Sequence, residues 1–294
     1  MKVVGIGGGH GLAQTLRAAL LYADDVAAVV AMADNGGSSG RLTTELGIPP
    51  PGDIRTCLVA LAQDGAMAEL LQHRFLGGAL TGHTVGNLVI AALTELRGDF
   101  GQAVDAAGRL MAVKGRVYPA TTALVTLRAR VQGGILEGQV AVGETTAPIE
   151  AVFLDPLDVP AYPPAVQAIL EADQVLLGPG SLYTSLIATV LVPGINAALQ
   201  QSSARRIFVC NTRMQPGETD GLDAVAHVRA LLDHCGGACI DTAVVQSPVL
   251  EVDGVALDRA SWPWSEIELI EADVGAPDEG HHPKRLSATL ATLS

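Results

Sequence analysis

Short apolar runs that end directly in glycine-rich polar loops constrain the fold of this chain more than any other feature. Such runs occur at 3–6, 26–32, 174–177, 206–210 and 241–245. Helical patterns cover 11–21, 53–63, 85–96, 100–111, 164–172, 181–190, 219–234 and 283–293. Strands buried on both faces of a parallel sheet read as continuous apolar runs, and parallel strands are usually joined by helical crossovers. The sequence therefore predicts an α/β fold, a Rossmann-like parallel sheet with helices on both faces.

A different pattern occupies residues 116–156. Apolar and polar residues alternate along 123–131, and turn signals follow at Gly133-Gly134 and at Gly143. This alternation is typical of half-buried antiparallel strands, so we expect a small antiparallel β insertion there. The insertion has too few apolar positions to fold alone, and we therefore expect a single domain over 1–294.

The balance of charge limits what the surface can bind. The chain has 31 acidic and 18 basic residues, which gives a net charge of -13 at pH 7. Non-specific nucleic-acid binding depends on clustered Lys and Arg, so nucleic acid is not an expected partner. A phosphate ligand would need a local source of positive potential, such as a helix amino-terminus or a loop of backbone N–H groups.

The same sequence predicts a cytoplasmic protein without membrane insertion. No basic segment precedes an apolar core at the amino-terminus. The longest apolar stretch, 183–199, is broken by Pro193 and Gly194 and falls short of the roughly 20 residues that a membrane-spanning helix needs. The four cysteines form no CxxC pair, which favours reduced thiols over a disulfide framework or a zinc site.

The first polar loop follows the first strand directly. It contains the candidate ligand-binding residues Gly8, Gly9, His10 and Gly11. Glycines allow the backbone to approach an anion closely, and the helix that follows points its positive end at the same place. The dinucleotide fingerprint G-x-G-x-x-G is broken, because the third glycine counted from Gly5 falls on His10, and an NAD site is therefore disfavoured. A tight turn without a ligand is the alternative.

A second polar loop follows the next strand, so the two loops should lie side by side at the sheet edge where ligands bind. Its candidate binding residues are Asp34, Asn35, Gly36, Gly37, Ser38 and Arg41. Asp34 can hold a divalent cation or accept a ribose hydroxyl, and Arg41 can pair with a phosphate. The alternative is a simple turn, since Asp, Asn and Gly are standard turn formers.

Two further loops lead into helices. Asp53 is placed to cap a helix, and Arg55 in its first turn opposes the helix dipole and so requires an anionic partner. His83 and Asn87 lie one turn apart and can face the same site, where binding is the more conservative role for the histidine.

The last two candidate loops follow the third and fourth apolar segments. Gly178, Gly180 and Ser181 form another strand, glycine turn and helix start, for which a plain helix cap is the alternative. Asn211 and Arg213 leave the next strand ahead of a helix. Loops from four strand ends are thus predicted to converge on one anionic ligand.

These strings, taken in order, resemble the gluconeogenesis-factor family, the YvcK-like proteins that are related to the CofD phospholactate transferases. The resemblance is carried by 7–11, 34–41, 51–55, 82–87, 178–185 and 215–219. It implies a Rossmann-like fold, binding of UDP-activated sugars, and a part in cell shape or envelope maintenance during gluconeogenic growth. The CofD relatives transfer a phosphate-linked group with magnesium, which would make Asp34 the metal-site candidate here.

The sequence leaves two functions open. The first is a non-catalytic protein that binds a nucleotide or nucleotide sugar, since no nucleophile and base pair is evident. The second is a magnesium-dependent transferase that uses Asp34 and Asp53, with Mg²⁺ as its cofactor. Homo-oligomers and regulatory protein partners are compatible with either function, and the sequence does not select among them.

Overall fold

The computed structural model describes residues 1–276 and 280–293. Its strands, in chain order, are β1 (Lys2–Gly7), β2 (Asp25–Val30), β3 (Arg116–Pro119), β4 (Thr126–Val131), β5 (Gly134–Glu137), β6 (Ile149–Asp155), β7 (Gln174–Leu177), β8 (Arg205–Val209), β9 (Thr242–Gln246), β10 (Glu268–Ala272), β11 (Gly275–Ala276) and β12 (Gly280–His281).

The helices of the same residues, in chain order, are α1 (Gly9–Ala19), α2 (Gly37–Leu46), α3 (Gly52–Leu61), α4 (Gly65–Gln72), α5 (Val85–Arg97), α6 (Phe100–Leu110), α7 (Gln139–Gly143), α8 (Pro163–Leu170), α9 (Ala188–Val190), α10 (Pro193–Gln201), α11 (Ala224–Cys235) and α12 (Pro283–Ala291). A π-helical segment, Leu182–Ile187, leads directly into α9. Short 3₁₀ turns lie at Gly78–Leu80 and Arg259–Ser261.

Seven strands form a parallel sheet in the order β10-β9-β8-β7-β1-β2-β3. The chain builds outwards from β1 through β2 to β3, and later outwards from β7 through β8 and β9 to β10. The direction of winding therefore reverses between β1 and β7. Connections that leave two such strands diverge, and this opens a crevice at their carboxyl ends.

The core lies on both faces of this sheet. On one face, Leu12 and Leu16 of α1 pack with Val3 of β1, together with buried residues of α3 and α12. On the other face, Val4 and Ile6 of β1 pack with buried residues of α8, α10 and α11. Because successive side chains of a strand point to opposite faces, β1 contributes to both clusters. The α/β prediction is thus confirmed, with helices on both faces of a parallel sheet.

The small antiparallel sheet is also present, in the order β5-β4-β6, but it begins later than expected. The first residues of the expected span 116–156 form β3, which pairs in parallel with β2 at the edge of the main sheet. A four-residue strand with one partner gives the same local pattern in either kind of pairing, so the sequence did not separate β3 from the insertion. The expectation of a single domain over 1–294 stays a prediction.

Several elements were missed by the sequence patterns. The edge strand β10 has the sequence ELIEA, whose charged residues face outward, and it gave no apolar run. Helix α2 begins at Gly37 inside the second polar loop, where glycine and serine gave no helical pattern.

No single helix of the described residues is long and apolar enough to cross a membrane. Two consecutive segments, Leu182–Val190 and Pro193–Gln201, reach the required length and apolar composition only when taken together, and they are bent by 74° relative to each other.

The packing of α1 against the sheet gives a stability prediction. Leu16 is fully buried, and we expect Leu16→Ala to lower the free energy of unfolding by about 2–5 kcal/mol because it leaves a cavity in the core. Leu21, just beyond the same helix, is 58% exposed, and Leu21→Ala should change the free energy by less than about 0.5 kcal/mol. Urea unfolding of both variants would measure this, and equal losses would contradict the packing described here.

Candidate functional site

Two glycine turns touch each other at the carboxyl ends of β1 and β7. A Cβ atom added to Gly11 would lie 2.5 Å from the Cα of Gly180 and 2.5 Å from the carbonyl oxygen of Pro179. The hydroxyl of Thr15 in α1 donates to the carbonyl of Gly178 at 2.9 Å, which ties the two turns together. Glycine is required at this contact because the two backbones approach too closely for any side chain.

The first turn also approaches the start of α3. A Cβ atom on Gly8 would lie 2.2 Å from Oδ2 of Asp53 and 3.1 Å from the hydroxyl of Ser185. Gly9 has a φ of +61°, in the left-handed region that favours glycine, and its backbone N–H donates to Asp53. The turn thus presents backbone groups at the amino-terminus of α1, where an anion is favoured.

Between these turns lies a cavity of about 290 Å³, which we call the cradle cavity. Its lining combines backbone of both glycine turns with hydroxyl, amide and carboxylate side chains. The lining residues are Gly8, Gly9, His10, Gly11, Ala31, Asp34, Asp53, Gln139, Gly180, Ser181, Thr184, Ser185 and Gln215.

A second cavity of about 210 Å³, the side cavity, shares four residues with the cradle cavity and therefore adjoins it. It lies toward β8 and the carboxyl-terminal segment. The lining residues are His10, Gly11, Gln14, Pro179, Gly180, Asn211, Thr212, Arg213, Gln215, Gly280 and His281. Burial lowers the pKa of His281 to about 4, so its ring is neutral at physiological pH, and its Nε2 is 3.1 Å from the carbonyl oxygen of Cys210.

Side-chain hydrogen bonds hold the β7 turn in place. Gly180 donates its N–H to Asn211 at 3.2 Å, and Gln215 donates from Nε2 to the hydroxyl of Ser181 at 3.2 Å. Buried Glu218 accepts the N–H groups of Tyr183 and Thr184 at the start of the π-helical segment. Burial raises the pKa of Glu218, and these hydrogen bonds oppose that rise.

Asp34 and Asp53 form a carboxylate pair on one wall of the cradle cavity. Burial, and after it the negative charge of Asp34, raise the pKa of Asp53 to about 7. Asp34 accepts the N–H of Gly36 at 2.9 Å. Asp53 was expected to cap α3, and this is wrong, because the helix already begins at Gly52 and Asp53 lies inside its first turn.

The described residues contain no group of three or more acidic, His or Cys side chains suited to a metal ion, so a metal at the carboxylate pair would need further ligands from water or substrate. Mg²⁺ commonly uses one or two carboxylates and completes its shell with water and substrate phosphates. The oxygen donors of Asp34 and Asp53 fit that pattern, and the mutual repulsion that raises the pKa of Asp53 would be relieved by a cation.

A separate buried polar cluster joins α2 to α5. The hydroxyl of Ser38 is 3.0 Å from Nδ1 of His83, and Asn87 donates from Nδ2 to the same hydroxyl at 3.0 Å. His83 and Asn87 were predicted from one-turn spacing to face the same site, and they do meet at one hydroxyl. Neither lines the cradle cavity or the side cavity.

The predicted site residues therefore fall into two groups. Those that line one or both cavities are Gly8, Gly9, His10, Gly11, Asp34, Asp53, Gly180, Ser181, Asn211 and Arg213. Those outside both cavities are Asn35, Gly36, Gly37, Ser38, Arg41, Arg55, His83, Asn87 and Gly178. Asn35, for example, accepts the N–H of Val140 at 3.0 Å and so anchors α7.

Some lining residues were not predicted. Gln139 reaches the cradle cavity from α7, between strands of the antiparallel sheet, and no sequence motif marks it. Three other lining residues, Gln215, Thr184 and Ser185, belong to the segments 178–185 and 215–219, which the sequence analysis had already selected. The position of each segment just after a strand could have identified these residues as part of the site.

Comparisons with known proteins agree with this architecture. The sequence profile described as 2-phospho-L-lactate transferase CofD matches residues 3–279. A "Gluconeogenesis factor" of Bacillus subtilis is 44% identical over 253 residues, 84% of this chain and 78% of the relative. A "Putative gluconeogenesis factor" of Mycobacterium tuberculosis is 43% identical over 304 residues, covering 98% and 89%.

A solved structure shares the fold closely. The crystal structure of a UPF0052 family member from Bacillus halodurans superposes with a TM-score of 0.94 at 36% sequence identity. The match covers 98% of each chain. The seven-stranded sheet, its helices and the antiparallel insertion therefore belong to an architecture already known in this family.

The contact between the two glycine turns gives a second prediction. We expect Gly11→Ala to lower the free energy of unfolding by about 1–3 kcal/mol, because the new methyl group would have to displace backbone atoms of the β7 turn. Gly65→Ala is the matched control, since a Cβ there meets nothing within 4 Å at the start of α4. Thermal and urea unfolding would measure both, and an unchanged Gly11→Ala variant would contradict the contact.

The carboxylate pair gives a prediction for pH. The pKa of Asp53 rises from 3.8 to about 7 on folding, so the folded chain binds more protons than the unfolded chain between these values. Stability contributed by protonated Asp53 should therefore be lost as the pH rises from about 4 through about 7. Urea unfolding across that range would show a smaller decline in Asp53→Asn than in the wild type, whereas equal declines would contradict the raised pKa.

Proposed function

The chain belongs to the CofD family, and from that membership we propose that it binds a nucleotide sugar, with a UDP-sugar as the expected ligand. The observation that carries the proposal is the contact between the β1 and β7 glycine turns, with a cavity of about 290 Å³ beside it. Backbone N–H groups at a helix amino-terminus bind a diphosphate without a basic surface, which suits a chain of net charge -13.

The adjoining side cavity supports the nucleotide part of the proposal. Asn211, Arg213 and Gln215 supply hydrogen-bonding groups, and neutral His281 offers an aromatic ring. Ligand sites of this kind typically combine apolar lining with a few polar groups that fix orientation. A diphosphate in the cradle cavity would leave one end of the ligand beside Asn211 and the other beside Asp34.

A magnesium-dependent transferase is the second candidate, and the observation that favours it is the carboxylate pair. Asp34 and Asp53 would hold the cation beside the ligand's phosphates, and the cation would supply neutralisation of developing negative charge. Turnover of a nucleotide sugar with added acceptors, measured with and without Mg²⁺, separates the transferase from a binding protein.

We further propose a cytoplasmic role of the gluconeogenesis-factor type in cell shape or envelope maintenance during growth on gluconeogenic carbon sources. The support is similarity to relatives that carry the name gluconeogenesis factor. Complementation of a strain that lacks its relative would test this role. The wild-type chain should restore growth, and Gly11→Ala should restore less, because it disturbs the turn that borders both cavities.

The binding proposal predicts ligand-dependent stabilisation. UDP-glucose at about 100 times its Kd should stabilise the folded chain by about 2.7 kcal/mol and raise the Tm by several degrees, whereas NAD should not. Magnesium should increase the rise in Tm that UDP-glucose causes in the wild type, but not in Asp34→Asn. Asp158→Asn, which changes an exposed aspartate outside the site, is the control and should respond as the wild type does. Thermal shifts with UDP-glucose, GTP and NAD provide the measurement. A magnesium effect that persists in Asp34→Asn would refute the metal assignment.

A further inference from the structure

The β1 turn leaves backbone N–H groups at the amino-terminus of α1 without helical partners. Helical hydrogen bonding starts at Leu12, whose N–H donates to the carbonyl of Gly8 at 3.4 Å. The N–H groups of His10 and Gly11 therefore have no partner inside the helix, and both residues line the cradle cavity. Helix α1 also has no acidic residue in its first turn. An anion is favoured at this side of the cavity.

The β7 turn differs, because several of its N–H groups are already used inside the protein. The N–H of Gly180 donates to Oδ1 of Asn211 at 3.2 Å. The N–H groups of Tyr183 and Thr184 donate to Oε1 of Glu218, which is only 7% exposed. A buried carboxylate thus lies at the positive end of the π-helical segment, where it opposes the binding of a second anion.

The other carboxylate oxygen of Glu218 fixes the hydroxyl of Thr184. Thr184 donates from Oγ1 to Oε2 of Glu218 at 3.2 Å. Thr184 also lines the cradle cavity and is only 3% exposed. An ionised carboxylate can only accept, so the single hydroxyl proton is committed to it and only lone pairs of Oγ1 remain. Thr184 can therefore accept a hydrogen bond from a ligand, but it cannot donate one.

A directed chain of hydrogen bonds gives the Ser181 hydroxyl the same polarity. It runs from the N–H of Gly180 to Asn211, and from Nδ2 of Asn211 to Oε1 of Gln215. Gln215 then donates from Nε2 to the hydroxyl of Ser181 at 3.2 Å. Because a backbone N–H can only donate, it sets the orientation of both amides. Burial raises the pKa of Glu218, and a hydrogen bond from Ser181 is among those that oppose the rise, so the Ser181 proton also points at Glu218.

We propose that Glu218 is a positioning residue that makes the Thr184 hydroxyl an acceptor for a hydroxyl group of the sugar, while the phosphates bind at the β1 turn. Sugar hydroxyls can donate to Thr184, whereas phosphate oxygens only accept and would meet a hydroxyl whose proton is already used. Glu218 lines neither cavity and so acts through Thr184. The inference rests on the proposed function in taking a nucleotide sugar as the ligand, and it adds which side of the cavity receives the sugar.

Glu218→Gln reverses the polarity of the hydroxyl with little change in shape. Oε1 of the glutamine can still accept from the N–H groups of Tyr183 and Thr184. Nε2 would replace Oε2 and donate to Oγ1 of Thr184, so the hydroxyl proton would turn toward the cavity. Thr184→Val removes the hydroxyl altogether. Glu266→Gln, which changes an exposed glutamate outside both cavities, is the matched control.

The probes are UDP, UDP-glucose and analogues in which fluorine replaces one sugar hydroxyl at a time, since fluorine cannot donate. Calorimetry measures their affinities for the full chain. In the wild type and in Glu266→Gln, fluorine at one position should weaken binding about tenfold, because the hydrogen bond to Thr184 is lost. In Glu218→Gln and Thr184→Val this cost should fall to about twofold or less, and the affinity for UDP should stay within about twofold of the wild type.

Three results would overturn the inference: no sensitive position in the wild type, the same sensitivity in both variants, or a loss of UDP affinity as large as the loss of UDP-glucose affinity. The first two would show that Thr184 does not accept from the sugar. The third would place the phosphates at Thr184. Thr184→Val keeps the test decisive if Glu218→Gln does not fold.

A measurement without ligand separates this inference from the proposed function. In a neutron structure of the deuterated chain, the hydroxyl deuterium of Thr184 should point at Oε2 of Glu218. A deuterium that points into the cradle cavity would overturn the inference whatever the chain binds. Failure of both UDP and UDP-glucose to bind the wild type would reject the nucleotide-sugar proposal, whereas the neutron structure would still decide whether Glu218 sets the polarity of Thr184.

Discussion

The contact between the β1 turn and the β7 turn is the constraint on which the rest of the site depends. Gly11 and Gly180 touch through backbone atoms because the winding direction of the sheet reverses between their strands. A side chain at Gly11 would collide with backbone atoms of the β7 turn. The same lack of side chains lets the backbone of both turns line the cradle cavity, where we propose that an anion binds.

Charge explains the rest of the arrangement. The chain has a strongly negative net charge, and its cradle cavity carries two carboxylates on one wall. A phosphate ligand in that cavity would be attracted by helix dipoles and repelled by Asp34 and Asp53, and a divalent cation would relieve that repulsion. A positive side chain, Arg213, lines the adjoining side cavity instead.

Much of the fold was predictable because the hydrophobic periodicity that distinguishes strands from helices is a local property of the sequence. The buried runs that became β1, β2, β7, β8 and β9 were recognised from apolar continuity alone. Their ends also located the glycine turns. In contrast, β3 was assigned to the insertion, since four residues do not reveal which strand they pair with. Edge strand β10 gave no apolar run, because two of its five residues are exposed glutamates.

For the site, the sequence by itself determined which loops follow strand ends and that glycine, hydroxyl and carboxylate groups occupy them. Only the tertiary structure decided which of these groups share a cavity. It placed Gly9 and Gly180 together and left Gly37 outside, and it brought in Gln139 from the insertion and Glu218 from beneath the β7 turn. The physical reason is that residue type and spacing act over a few positions, whereas sheet order and side-chain convergence follow from packing between segments far apart in the chain.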